Sequence, residues 1–72
     1  MGSKYPVLKP SEIISVLLKS GFVFKSQRGS HAKYEKDGRP VIIPMHDEVA
    51  KGTLKSILLQ AGMELDDFLK LL

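Results

Sequence analysis

Cysteine is absent from the chain. That absence removes disulfide staples, thiolate metal sites and a thiol nucleophile together, and it fits a reducing, cytoplasmic setting. Long apolar runs are absent as well. None approaches the ~20 residues needed to cross a bilayer, so the expected protein has no membrane span and no secretory leader. Met1-Gly2-Ser3 looks like a myristoylation start, but Pro6 stands where that signal needs Ser or Thr. There is no phosphate-binding glycine loop, zincin motif, serine elbow or dinucleotide fingerprint, which sets those enzyme classes aside. Repeats, linkers and low-complexity tracts are also missing. The expectation is one domain over residues 1–72, with about residues 1–6 flexible.

What is present is a set of periodic apolar blocks. Apolar residues make up 43% of 72 positions, enough for a packed core. A domain of this size buries only about 60% of its unfolded surface. The formal charge is +3, a mild bias. Its placement says more. Lys25, Arg28, Lys33, Lys36 and Arg39 fall in the middle of the chain, and Glu64, Asp66 and Asp67 near its end. A basic middle suits a polyanion.

Residues 10–20 have helical spacing in Ile13, Val16, Leu17 and Ser20, widened by Ile14 and Leu18. Pro10 suits the first turn, and Gly21 the left-handed residue after the last. Residues 22–28 alternate as a strand, and residues 31–36 as a second. Asp37-Gly38 signals a hairpin, and a third strand runs from Pro40 to about Met45. A helix from about Gly52 to Ala61 would bury Leu54, Ile57, Leu58 and Ala61. A short last helix covers about Leu65 to Leu72 behind a weak cap at Glu64. The expected fold class is α+β, in the order α-β-β-β-α(-α): a three-stranded antiparallel sheet with helices packed on one face. That order is the one found in the double-stranded-RNA-binding domain (dsRBD).

Parity assigns the sheet faces. Pairing Lys36 with Val41 sets Tyr34 opposite Ile43, Ala32 opposite Met45 and His31 opposite His46. Pairing Phe24 with Tyr34 sets Lys25 opposite Lys33 and Gln27 opposite His31. One face then carries the apolar set, including Phe22, Phe24 and Tyr34. The other carries Lys25, Gln27, His31, Lys33 and His46. Tyr5 lies outside the core pattern, where it could stack, but nothing singles it out.

His31 comes directly after the turn Gly29-Ser30 and lies among Arg28, Lys33 and Lys25. An imidazole changes protonation near neutral pH, and neighbouring cations hold a phosphate. Together they suit removal of the 2′-hydroxyl proton of RNA, attack of that oxygen on the adjacent phosphate, and release of a 2′,3′-cyclic phosphate and a 5′-hydroxyl. The amide and hydroxyl of Ser30 could bond a phosphate oxygen. Lys51 and Lys55, one turn apart at a helix start, form a more distant anchor. Each feature also has a plain reading: a surface histidine, a hairpin turn, two solvated lysines. His46 is either a second acid or base or a strand-end histidine bonded to its loop. A metal site from His31, His46 and Glu35 lacks a compact ligand motif, and neither metal nor cofactor is expected.

With those residues in view, the chain resembles the HicA toxin family of bacterial and archaeal toxin–antitoxin pairs. The resemblance runs from Lys4 to Leu72. It rests on Leu18-Lys19-Ser20-Gly21-Phe22, Arg28-Gly29-Ser30-His31, Pro44-Met45-His46, and the segment from Lys51 to Leu58 that ends at Ala61-Gly62. It implies a dsRBD-like mRNA interferase, a catalytic His31, and a HicB-type antitoxin that covers the histidine face. Glu64 stands where a serine-type cap is more usual. Two rivals remain on sequence alone: a non-catalytic RNA-binding module, and a protein-interaction domain that uses the sheet face only for docking.

Overall fold

A computed structural model describes residues 4–72. The readings on Met1-Gly2-Ser3, both the myristoylation start and the first part of the flexible segment, lie outside the described residues. The elements are α1 (Pro10–Lys19), β1 (Val23–Arg28), β2 (His31–Lys36), β3 (Arg39–Pro44), α2 (Lys51–Ala61) and α3 (Leu65–Lys70). The sheet is antiparallel in the order β1-β2-β3. The architecture is α+β, with helices on one face of the sheet.

Both long helices end for the same local reason. Gly21 (φ +97°) and Gly62 (φ +69°) take the left-handed conformation. This lets Phe22 N–H reach the Leu17 carbonyl at 2.9 Å and Met63 N–H reach the Leu58 carbonyl at 3.0 Å. Helix α1 starts at Pro10, with Glu12 Oε1 accepting the Lys9 N–H at 2.8 Å. At Glu64 no side-chain cap bond forms, so α3 is held by burial of Phe68 instead.

Three cations close the helix C-termini. Lys36 Nζ donates to the Ser20 carbonyl (2.7 Å), Arg39 Nη1 to the Gln60 carbonyl (3.4 Å) and Lys19 Nζ to the Leu71 carbonyl (2.9 Å). A positive group there meets the orphan carbonyls and the negative end of the helix dipole.

The β2–β3 register differs from the sequence expectation by two residues. Lys36 pairs with Arg39, Tyr34 with Val41, Ala32 with Ile43 and His31 with Pro44. The cause is the turn. Asp37 (φ +51°) and Gly38 (φ +77°) are both left-handed, which makes a two-residue type I′ hairpin that forces 36 against 39. Pro40 is tolerated because it occupies a position facing the sheet edge, where no ladder N–H is required. The slip is even, so the faces survive while the cross-strand partners change.

The β1–β2 pairing also differs, and here the faces do change. Phe24 pairs with Tyr34 and Val23 with Glu35. The register then shifts, and Ser26 pairs with Lys33, Gln27 with Ala32 and Arg28 with His31. Lys25 is the extra residue of a bulge. Gln27 is therefore not opposite His31, as parity alone predicts, and Lys25 is not opposite Lys33. Lys25 Nζ instead lies 3.4 Å from Glu35 Oε1.

The core holds Ile13, Val16, Leu17, Val41, Ile43, Leu54, Ile57, Val49 and Phe68, all essentially inaccessible. Each such side chain contributes about 1.5–3 kcal/mol of burial free energy. Leu8 and Val49 add an isolated antiparallel bridge that the sequence reading does not anticipate, with Val49 N–H on the Leu8 carbonyl at 2.7 Å. Tyr5, expected outside the core pattern, packs partly against this core. Leu18 does not join the stripe and is 53% exposed. Phe24 is 54% exposed, although it meets Tyr34 edge-on at 5.6 Å. The helices pack chiefly over β3, and β1 is exposed along its length.

Candidate functional site: a histidine cleft on the open sheet face

Alternation along the strands sends Ala32, Tyr34, Val41 and Ile43 inward. His31, Lys33, Glu35 and Ile42 therefore project from the opposite face. The bulge at Lys25 reverses the parity of the later residues of β1. Ser26 and Arg28 pair with Lys33 and His31 and share their face. Five side chains, those of Ser26, Arg28, His31, Lys33 and Ile42, line one shallow cleft of about 300 Å³.

His31 is exposed at the first position of β2. No hydrogen bond joins its ring to another described residue. Gly29, at φ +56°, makes the tight turn that sets Arg28 directly opposite His31. Lys33 is half-buried two residues further along the same face. Among the described residues neither Arg28 nor Lys33 enters an ion pair, and the carboxylate of Glu35 on the same face is engaged by Lys25. Two cations without a carboxylate partner and an accessible imidazole thus share one concavity. Such a set can hold a phosphodiester and move a proton beside it.

The other candidates fall elsewhere. Ser30 is exposed in the turn, and its carbonyl accepts the Met45 N–H at 2.6 Å. It does not line the cleft. His46 lies beyond β3 and faces a separate depression of about 460 Å³ with Lys9, Pro10, Ser11, Met45 and Asp47. The expected His31–His46 pairing is thus replaced by His31–Pro44, since the two-residue turn draws β3 back by two positions. Lys51 and Lys55 are exposed at the start of α2, outside the cleft. Among the described residues no three His, Asp or Glu side chains come together as a group able to hold a metal ion. No helix among them is long and apolar enough to cross a membrane.

Sequence reasoning misses two lining residues. Ser26 is hidden by the bulge, which no local signal announces. Ile42 is signalled, because alternation between inward Val41 and Ile43 sends it outward.

The fold and cleft define a small α+β protein with a cationic, histidine-bearing sheet face. A family model described as the HicA toxin of bacterial toxin–antitoxin matches residues 10–63. The chain belongs to this HicA toxin family. The match spans all five cleft residues and stops short of α3. No curated protein matches the chain.

Proposed function

We propose that this toxin is an endoribonuclease that cleaves mRNA in the cytoplasm. The observation that carries the reading is the exposed His31 between Arg28 and Lys33 in one cleft. Arg28 and Lys33 bind the scissile phosphate. The neutral His31 ring takes the 2′-hydroxyl proton, and the 2′-oxygen attacks phosphorus. The bond from phosphorus to the 5′-oxygen breaks, that oxygen takes a proton from water admitted by the open cleft, and the hydroxide left behind takes the proton held on His31, which restores the ring. The products are a 2′,3′-cyclic phosphate and a 5′-hydroxyl. No step calls for a metal ion. Positioned proton transfer supplies about 10²–10⁴-fold, and the cations add stabilisation of the phosphorane charge.

Ser30, in the turn next to the cleft and not in it, offers its hydroxyl and amide to the strand as it leaves, while Lys51 and Lys55 hold the RNA further along. The partner is a HicB-type antitoxin that covers the His31 face and excludes RNA. The test is incubation of the pure protein and its His31→Ala variant with a defined RNA. Cleavage by the first alone supports the reading. Binding without cleavage by both would make the chain an RNA-binding module instead.

A further inference from the structure

Four of the five cleft residues suit the charged or hydroxylated parts of a ribonucleotide. Arg28, Lys33 and Ser26 suit phosphate and ribose oxygens, and His31 suits the 2′-hydroxyl. The fifth, Ile42, has no such use. It is a β-branched hydrocarbon, 38% exposed, set among cations. Its neighbours on that face of β3 are Pro40 and Pro44, opposite Glu35 and His31. The backbone beneath it is fixed. Gln60 Oε1 accepts the Ile42 N–H at 3.0 Å, and Gln60 Nε2 donates to Ser56 Oγ at 3.3 Å. Ile42 pairs with Lys33 and is the diagonal neighbour of His31, on the order of 7–8 Å away across the ladder.

The part of a ribonucleotide that gains from contact with a hydrocarbon is the face of its base. Proteins that read single-stranded RNA usually provide an aromatic ring for it. This cleft has none, since Tyr34 is on the inward face and Phe24 pairs with it there. We infer that Ile42, flanked by Pro44, forms the base subsite of the cleft: an apolar platform for the nucleobase whose ribose lies against His31. The inference rests on the nuclease reading and deepens it. Ile42 has only hydrocarbon to offer, so it grips the base by its face and not by its hydrogen-bonding edge.

The test is a double cycle on a DNA oligonucleotide carrying one ribonucleotide, which confines cleavage to one bond. A twin carries an abasic ribose at that position. Removing the base should cost the wild-type protein roughly fivefold to tenfold in kcat/KM, the scale of half-burying an isoleucine side chain. Ile42→Ala should lose the same factor on the base-bearing strand and nothing more on the abasic twin. Ile42→Phe should tighten binding of the base-bearing strand alone, because an aromatic face stacks better. Circular dichroism and denaturation curves of both variants should match the wild type, as the side chain is outside the core. Losses that multiply independently, or an Ile42→Ala variant as active as wild type on both strands, would overturn the base subsite. If His31 remains essential in that case, the nuclease reading stands. Cleavage by His31→Ala at the wild-type rate would overturn that reading instead.

Discussion

Removing the His31 ring takes nothing from the core, because the side chain is exposed and hydrogen-bonds no described residue. His31→Ala should therefore leave unfolding free energy within about 0.5 kcal/mol, read from a urea titration. Arg28 and Lys33 are predicted to act through charge. Changing either to alanine should weaken binding of an uncleavable RNA across all sequences and lower the slope of log affinity against log salt by roughly 0.7–1. Lys36 and Arg39 belong to the same basic stretch of sequence but serve different ends, since each closes a helix C-terminus. Lys36→Ala should cost on the order of 0.5–1.5 kcal/mol of stability and leave that salt slope unchanged. Net charge in the sequence cannot make this distinction, because a lysine aimed at a carbonyl and a lysine aimed at solvent count alike.

Among the elements, the helix stops carry the sharpest stability prediction. A Cβ at Gly62 would collide with the Arg39 guanidinium, and the residue sits at φ +69°. Gly62→Ala should destabilise by at least about 1–2 kcal/mol, the usual cost of a left-handed L-residue, and displace Arg39 from the Gln60 carbonyl. Thermal unfolding monitored at 222 nm would show it. The glycine stop at Gly21, the three strands and the stripe of α2 were legible in the sequence, because period, punctuation and turn chemistry agree there. The inward and outward faces of β2 and β3 were legible for the same reason. The pairing was not. An even slip keeps hydrophobic alternation intact, so only the turn geometry at Asp37-Gly38 decides it. The bulge at Lys25 was hidden too, and it alone determines that Ser26 and Arg28, not Gln27, accompany His31. The site was therefore readable as a histidine beside cations, but its exact membership depended on one extra residue in β1. The outer edges of the sheet show how pairing with other chains is avoided. Pro40 and Pro44 have no N–H to offer, Ile42 gives its own to Gln60, and β1 carries the bulge and Lys25.

For the molecule as a whole, the layers divide the work. Helices bury one face of the sheet and leave the other to solvent, so function occupies a surface the core does not need. A small core has little stability to spare. Phe68→Ala, which empties the space α3 fills, should cost about 3–5 kcal/mol and unfold much of the population at 37 °C. The resulting loss of activity should track the folded fraction, unlike the loss in His31→Ala. The central claim is that His31 is the proton-transfer group of an RNA-cleaving cleft. The most direct test is end-group analysis of a defined single-stranded RNA after incubation with wild type and with folded His31→Ala. The expected result is 2′,3′-cyclic phosphate and 5′-hydroxyl ends from the wild type, with at least about 10²-fold less product from the variant. Equal product from the two proteins, or 3′-hydroxyl and 5′-phosphate ends from the wild type, would contradict it.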